Sequence, residues 1–135
     1  LQNGLISMGV AMPSAIAAKL VHPERRVVAA VGDGGFLMAS AELETARRLG
    51  VRFVTVVFND GGLGLIREKM QRRLGRSSNV DLGLPDIPTY ARSFGAEGYS
   101  VGEREFEEVL RDCLARDALA IIDVKVDYSY NRSLF

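Results

Sequence analysis

Residues 27–64, VVAAVGDGGFLMASAELETARRLGVRFVTVVFNDGGLG, decide the fold of this chain. The run 27–31 is short, apolar and β-branched at three of its five positions, which is typical of a strand buried on both faces of a parallel sheet. The run 53–58 has the same character and predicts a second buried strand. Between them, residues 39–49 have apolar side chains at helical spacing, early acids, late arginines and a following glycine, which predicts a helix. The stretch is therefore predicted to be a βαβ unit with a right-handed crossover and parallel strands.

An acidic residue flanked by glycine follows each predicted strand. Asp33 lies in a predicted turn, GDGG at 32–35, and Asp60 lies in NDGGLG at 59–64. Because ligands gather at the carboxyl ends of parallel strands, we expect both turns to face one small volume. Two carboxylates and a main-chain carbonyl suit Mg²⁺, and glycines allow backbone N–H groups to approach an anion closely. The chemistry implied is a magnesium-bridged diphosphate.

The spacing of these motifs resembles that of a known family. GDG at 32–34, then 24 residues, then Asn59-Asp60 is similar to the signature of thiamine-diphosphate enzymes, which is GDG, about 25 residues, then NN. More closely, the runs 3–20, 32–50, 59–66 and 123–131 resemble the C-terminal cofactor domain of acetolactate synthase-like proteins. The resemblance covers nearly the whole chain.

The resemblance implies a metal site. Asp33 and Asp60 would be the side-chain ligands of Mg²⁺, and the carbonyl of Gly62 would be the main-chain ligand. Asp60 stands where most of the family has the second Asn, although acetolactate synthases of the catabolic type also use Asp there. The additional negative charge predicts tighter metal binding.

The resemblance also implies how the organic cofactor is held. The N–H groups of Gly34, Gly35 and Leu65 would hold diphosphate oxygens. Met8, which alone would be typical of a core residue, lies 25 residues before Asp33 and matches the apolar residue that props thiamine in its bent form. The Ile6 carbonyl would face the aminopyrimidine. The full set of predicted cofactor-binding residues is Ile6, Met8, Gly32, Gly34, Gly35, Asn59, Gly64 and Leu65.

The resemblance further implies an activity shared with other domains. In the family the cofactor lies between this domain and a pyrimidine-binding domain, of the same or a neighbouring subunit, whose glutamate activates it. No catalytic residue is therefore expected in this chain, and it is not expected to turn over alone. The implied reaction is decarboxylation of a 2-keto acid and transfer of the resulting carbanion to an acceptor. A homodimer or tetramer is implied, and FAD in a middle domain of the parent enzyme is compatible with the family.

Two departures from the family pattern leave other interpretations open. Leu63 sits where the family usually has Tyr, and Glu68 sits where acetolactate synthases commonly have Trp. One alternative is a non-catalytic module that keeps the fold. Another is an unrelated domain for magnesium and a nucleotide phosphate, although the chain has no Gly-x-Gly-x-x-Gly or Walker loop.

Length and composition narrow the class of protein. The 135 residues suit one domain, and the start at Leu1 favours a segment of a longer multidomain enzyme, with a natural split subunit as the variant. A formal net charge of +0 gives no reason to expect nucleic acid as a partner, and no apolar stretch is long enough to predict a membrane span. The single cysteine, Cys113, suits a reducing compartment, so we expect a cytoplasmic protein.

The remaining segments complete the predicted fold. Gly95 and Gly98 are predicted to end a short helix. The predicted elements are helices at 12–20, 65–74, 86–94 and 103–116, a functional loop at 75–88 and a last strand at 118–126. The fold class that follows is α/β, a three-layer α/β/α sandwich with a mostly parallel sheet and helices on both faces.

Overall fold

The computed structural model describes residues 7–128. Six helices and four strands follow one another along this part of the chain. In order they are α1 (Ala11–Val21), β1 (Val28–Gly32), α2 (Asp33–Ala39), α3 (Glu42–Leu49), β2 (Val54–Asn59), α4 (Gly64–Leu74), α5 (Ile87–Ser93), β3 (Glu97–Val101), α6 (Glu103–Ala115) and β4 (Ala120–Lys125).

The four strands form one parallel sheet in the order β1-β2-β4-β3. The predicted βαβ unit is confirmed, since β1 pairs with β2 in parallel and Val31 lies opposite Val57. The carboxyl ends of these two strands therefore lie side by side. Asp33 follows the first strand, Asn59 ends the second, and Asp60 follows it.

Both faces of the sheet are packed, which confirms the three-layer architecture. On one face, Val57 of β2 and the preceding Phe53 pack into a core with residues of α1, α2, α3 and α5. On the other face, Val54 and Val56 pack with Cys113 and its neighbours on α6. Alternate residues of β2 thus serve two separate cores, as expected of a central strand in a doubly covered sheet.

The prediction that β1 is buried on both faces was wrong. Ala29 is buried, but the alternating residues Val28, Ala30 and Gly32 are exposed. The reason is that β1 is an edge strand, and α6 packs against β2, β4 and β3. An apolar run identifies a strand without showing its position in the sheet.

The prediction that Gly32–Gly35 form a turn was also wrong, because the helix begins earlier. Gly32 is the extended N-cap residue and Asp33 is the first residue of α2. A second helix, α3, follows and covers most of the helix predicted at 39–49. Gly50 ends it in the left-handed conformation, with φ of 65°, as the glycine after a helix is expected to do. Within residues 7–128, no helix combines the length and apolar character that crossing a bilayer requires.

The strand β3 was not predicted, since Gly98 was taken as a breaker. In the fold Gly98 lies inside β3, where α5 approaches closely. A Cβ atom added at Gly98 would lie only 2.2 Å from the Pro88 carbonyl oxygen and 2.7 Å from Pro88 Cα. Glycine is therefore required here by packing and not by a turn.

We expect Gly98→Ala to lower the free energy of unfolding by about 1–3 kcal/mol, because the added methyl group must push α5 away from β3. Gly83→Ala is the matched control, since no atom lies within 4 Å of a Cβ added there. Urea denaturation followed by circular dichroism measures both. Equal midpoints for the two variants would contradict the close approach of α5 to β3.

Candidate functional site

Asp33 joins the ends of two neighbouring strands. Its side chain is almost fully buried, and the residue is only 2% exposed. Asp33 Oδ1 accepts a hydrogen bond from the Gly34 N–H at 2.7 Å, and Oδ2 accepts one from the Gly62 N–H at 2.9 Å. A negative charge is also stabilised at the first residue of a helix, as Asp33 is in α2. Asp33 therefore fixes the glycine turn after β2 against the start of α2.

Asp60 lies in that turn, two residues before Gly62, and its side chain is 14% exposed. Its Oδ2 accepts a hydrogen bond from Arg67 Nη1 at 3.3 Å. A Cβ atom at Gly64 would lie 2.2 Å from the same oxygen, so the glycine leaves room for the carboxylate. Gly62 thus links the two acids, donating to Asp33 and following Asp60 by two residues.

Asn59 shapes the turn that carries Asp60. It is buried, its Nδ2 donates to Asp123 Oδ1 at 2.8 Å, and its Oδ1 accepts from the Gly61 N–H at 3.1 Å. Gly61 has φ of 77°, which favours glycine. The amide of Asn59 is therefore engaged with protein atoms, and its predicted contact with the cofactor stays a prediction. The contribution of Asp123, a buried acid within an apolar strand, was missed by the sequence analysis.

The predicted diphosphate ligands lie at the starts of two helices. Gly34 and Gly35 are in the first turn of α2, and Leu65 is in the first turn of α4, where backbone N–H groups lack intrahelical acceptors. In this structure the Gly34 N–H donates to Asp33. A Cβ atom at Gly34 would lie 2.8 Å from Leu63 Cδ2 and 3.0 Å from Met8 Cε. Met8 is thus brought beside the residue that follows Asp33, and its predicted contact with thiamine stays a prediction.

The loop predicted to be functional is paired with the glycine turn. Leu63 N–H donates to the Val80 carbonyl at 2.8 Å, and Leu82 N–H donates to the Gly61 carbonyl at 3.0 Å. Residues 80–82 therefore lie directly against the turn that carries Asp60. Ile6, whose carbonyl was predicted to face the aminopyrimidine, lies outside the described residues.

Tyr128 also lies near the two acids, although the sequence analysis gave it no role. Burial raises the pKa of its hydroxyl, and the charges of Asp60 and Asp33 raise it further. The one sequence feature that indicates a position near the acids is that Tyr128 follows β4, whose carboxyl end lies at the same edge of the parallel sheet.

The ligand set suits a hard cation that takes further ligands from a bound molecule. Within residues 7–128, no cluster of three or more His, Cys, Asp or Glu side chains is placed to hold a metal ion. Asp33 and Asp60 supply two carboxylates, and the glycine at position 64 leaves room for the Asp60 carboxylate. Mg²⁺ prefers such partial protein coordination completed by phosphate oxygens and water. The residues present therefore fit a magnesium-bound diphosphate.

Comparison with known proteins identifies relatives of the whole described region. The family described as thiamine pyrophosphate enzyme, C-terminal TPP binding domain, matches residues 1–124. An acetolactate synthase of Bacillus subtilis is 44% identical over 135 residues, which are 99% of this chain and 24% of the relative. A catabolic acetolactate synthase of Raoultella terrigena is 42% identical over 132 residues, which are 97% of this chain and 24% of the relative.

A solved structure shows the same fold. The thiamine diphosphate-dependent 4-hydroxybenzoylformate decarboxylase of Rhodococcus jostii RHA1 superposes with a TM-score of 0.81 at 26% identity, covering 89% of this chain and 23% of that chain. The chain thus spans about a quarter of the length of each of these proteins.

Proposed function

The chain belongs to the thiamine pyrophosphate enzymes, as their C-terminal TPP-binding domain, and from this premise we propose that it anchors thiamine diphosphate through Mg²⁺ in an enzyme like acetolactate synthase. The observation that carries the proposal is the hydrogen bond from the Gly62 N–H to Asp33, which brings the turn containing Asp60 against Asp33 at the carboxyl ends of two paired strands. Support for the type of enzyme comes from the relatives that are 44% and 42% identical.

The chain's own residues have separate tasks in this proposal. Asp33, Asp60 and the Gly62 carbonyl would hold Mg²⁺, while the N–H groups of Gly35 and Leu65 would bind diphosphate oxygens. Gly34 would add its N–H if Asp33 turned toward the metal. When bound, thiamine diphosphate supplies carbanion stabilisation for breaking and forming carbon–carbon bonds beside a ketone.

The parent enzyme would complete the site. We propose that a pyrimidine-binding domain of the same or a neighbouring subunit supplies the activating glutamate, in a homodimer or tetramer that acts on a 2-keto acid. The chain alone would bind cofactor weakly and would be inactive. Any FAD would be bound outside this chain, and the single cysteine supports the cytoplasm as the location.

A non-catalytic module is the second candidate, and one observation favours it. Leu63 packs against Gly34, where a Tyr would be usual in the family, and Glu68 accepts a hydrogen bond from Arg72 along the same helix. This candidate predicts cofactor binding without turnover in the assembled enzyme.

Calorimetric titration with thiamine diphosphate, with and without Mg²⁺, tests the proposal. The chain would be titrated together with a pyrimidine-binding domain, beside a variant with Asp33→Ala and Asp60→Ala. We expect magnesium-dependent heat from the native sequence and none from the variant. The absence of magnesium-dependent binding in the native sequence would contradict the proposal. Binding without conversion of pyruvate would favour the non-catalytic module.

A further inference from the structure

Arg67 occupies a position that neither the metal site nor the diphosphate site explains. It lies in the first turn of α4, where its backbone N–H donates to the Leu63 carbonyl at 2.8 Å. Its guanidinium bridges two carboxylates, with Nη1 3.3 Å from Asp60 Oδ2 and Nη2 2.9 Å from Asp81 Oδ1. A Cβ atom at Gly62 would lie 2.2 Å from Nη2, so the guanidinium also covers Gly62.

This cation therefore lies on two of the three residues proposed to bind the metal. The guanidinium and a divalent ion would draw on the same Asp60 carboxylate, and two positive groups repel each other at contact distance. The Arg67 side chain is 33% exposed, so it has space to move away from Asp60 without opening the core.

Asp81 can still bind the Arg67 guanidinium after the guanidinium has left Asp60. Its side chain is 88% exposed, but its backbone is held beside the glycine turn by the hydrogen bonds that flank it, from Leu63 to Val80 and from Leu82 to Gly61. Arg67 can thus release Asp60 and keep Asp81. Before the exchange, two carboxylates share one guanidinium. After it, the metal ion lies on Asp60 and the guanidinium lies on Asp81.

Resting on the proposed function, we propose that Arg67 is a built-in competitor of the metal ion for Asp60, and that Asp81 retains its guanidinium when the ion enters. Arg67 would thereby set the metal concentration at which the site fills. It would also link filling of the site to the contact between α4 and the loop 75–86.

Mn²⁺ binding, measured from the electron paramagnetic resonance signal of free Mn²⁺ in the presence of thiamine diphosphate, tests this inference in the full chain assembled with its pyrimidine-binding domain. We expect Arg67→Met to bind Mn²⁺ about two- to fivefold more tightly, the range of a partly exposed ion pair. Asp81→Asn is expected to weaken binding about two- to fivefold, because Arg67 then remains on Asp60. In the variant that combines Arg67→Met with Asp81→Asn, we expect the same Mn²⁺ affinity as in Arg67→Met alone.

Arg73→Met is the matched control, since it removes an equal charge from an exposed position of α4. Unchanged affinity in Arg67→Met, or the same gain in the Arg73 variant, would overturn the inference while leaving the proposed function intact. Weaker Mn²⁺ binding in Arg67→Met would overturn it too, since Arg67 would then assist cofactor binding. Failure of the native sequence to bind Mn²⁺ at all would overturn both proposals.

Discussion

Asp33→Ala is expected to abolish magnesium-dependent cofactor binding and to destabilise the fold. Asp60→Ala is expected to abolish the same binding with little effect on stability. The difference follows from their partners. Asp33 is buried and accepts two backbone N–H groups, which the alanine variant would leave without that acceptor. Losing an acceptor costs about 1–3 kcal/mol for each buried donor, so we expect Asp33→Ala, which affects two donors, to lose about 2–6 kcal/mol of stability.

Asp60 makes a weaker structural contribution because it pairs with the partly exposed Arg67. Asp60→Ala is therefore expected to change stability by less than about 1 kcal/mol. Each variant should lower affinity for the magnesium complex of thiamine diphosphate by at least about a hundredfold. Urea denaturation and calorimetry measure the two properties. Equal stabilities of the two variants would contradict the role of Asp33 in holding the Gly62 turn.

Phe36→Ala is expected to lower the free energy of unfolding by about 3–5 kcal/mol. Phe36 is fully buried one turn after Asp33 on α2, and its ring packs edge-on against Tyr90 with centroids 6.1 Å apart. The substitution removes a ring from the core that joins α1, α2, α3 and α5. Denaturant midpoints at unchanged m-value measure the effect.

Met38→Ala is the control on the same helix, because Met38 is 64% exposed and should change stability by less than about 0.5 kcal/mol. Since Phe36→Ala could prevent folding of a marginally stable chain, Phe36→Leu serves as a milder variant, with an expected loss of about 1.5 kcal/mol. If Phe36→Leu and Met38→Ala are equally stable, the start of α2 is not anchored by this core.

The sequence predicted most of the fold because its helices and central strands follow simple periodic patterns. The prediction at 103–116 corresponds closely to α6, whose apolar residues recur on one face. The short helix predicted at 86–94 corresponds to α5, where Asp86 caps the helix by accepting from the Thr89 N–H at 2.8 Å. Both signals are local, so they can be recognised without knowledge of the tertiary structure.

The errors in the fold arose where tertiary packing decides. Position 98 is a glycine, although it lies in a strand, because Pro88 leaves no space for a side chain. Nothing near Gly98 in the sequence indicates that Pro88 packs there. Val28 is exposed because β1 is at the edge of the sheet, which a continuous apolar run cannot reveal.

The features of the candidate site fall into the same two groups: some have a local signal in the sequence, and others depend on tertiary packing. The acids and glycines were recognisable because each follows a predicted strand in a short motif, and the topology brings them together. The bridge from Arg67 to Asp60 and Asp81 depends on how a loop folds back against α4. Likewise, Asn59 meets Asp123 only through the pairing of β2 with β4.

The strand order has a consequence for how the chain is made. β1 and β2 are neighbours in sequence, but the other edge of β2 pairs with β4, the last strand within residues 7–128, after α4, α5, β3 and α6. During synthesis, the acids of the site are therefore complete long before β2 acquires its second partner. Until β4 leaves the ribosome, β2 presents an open apolar edge to other chains, and this interval is when the chain is most exposed to misassembly.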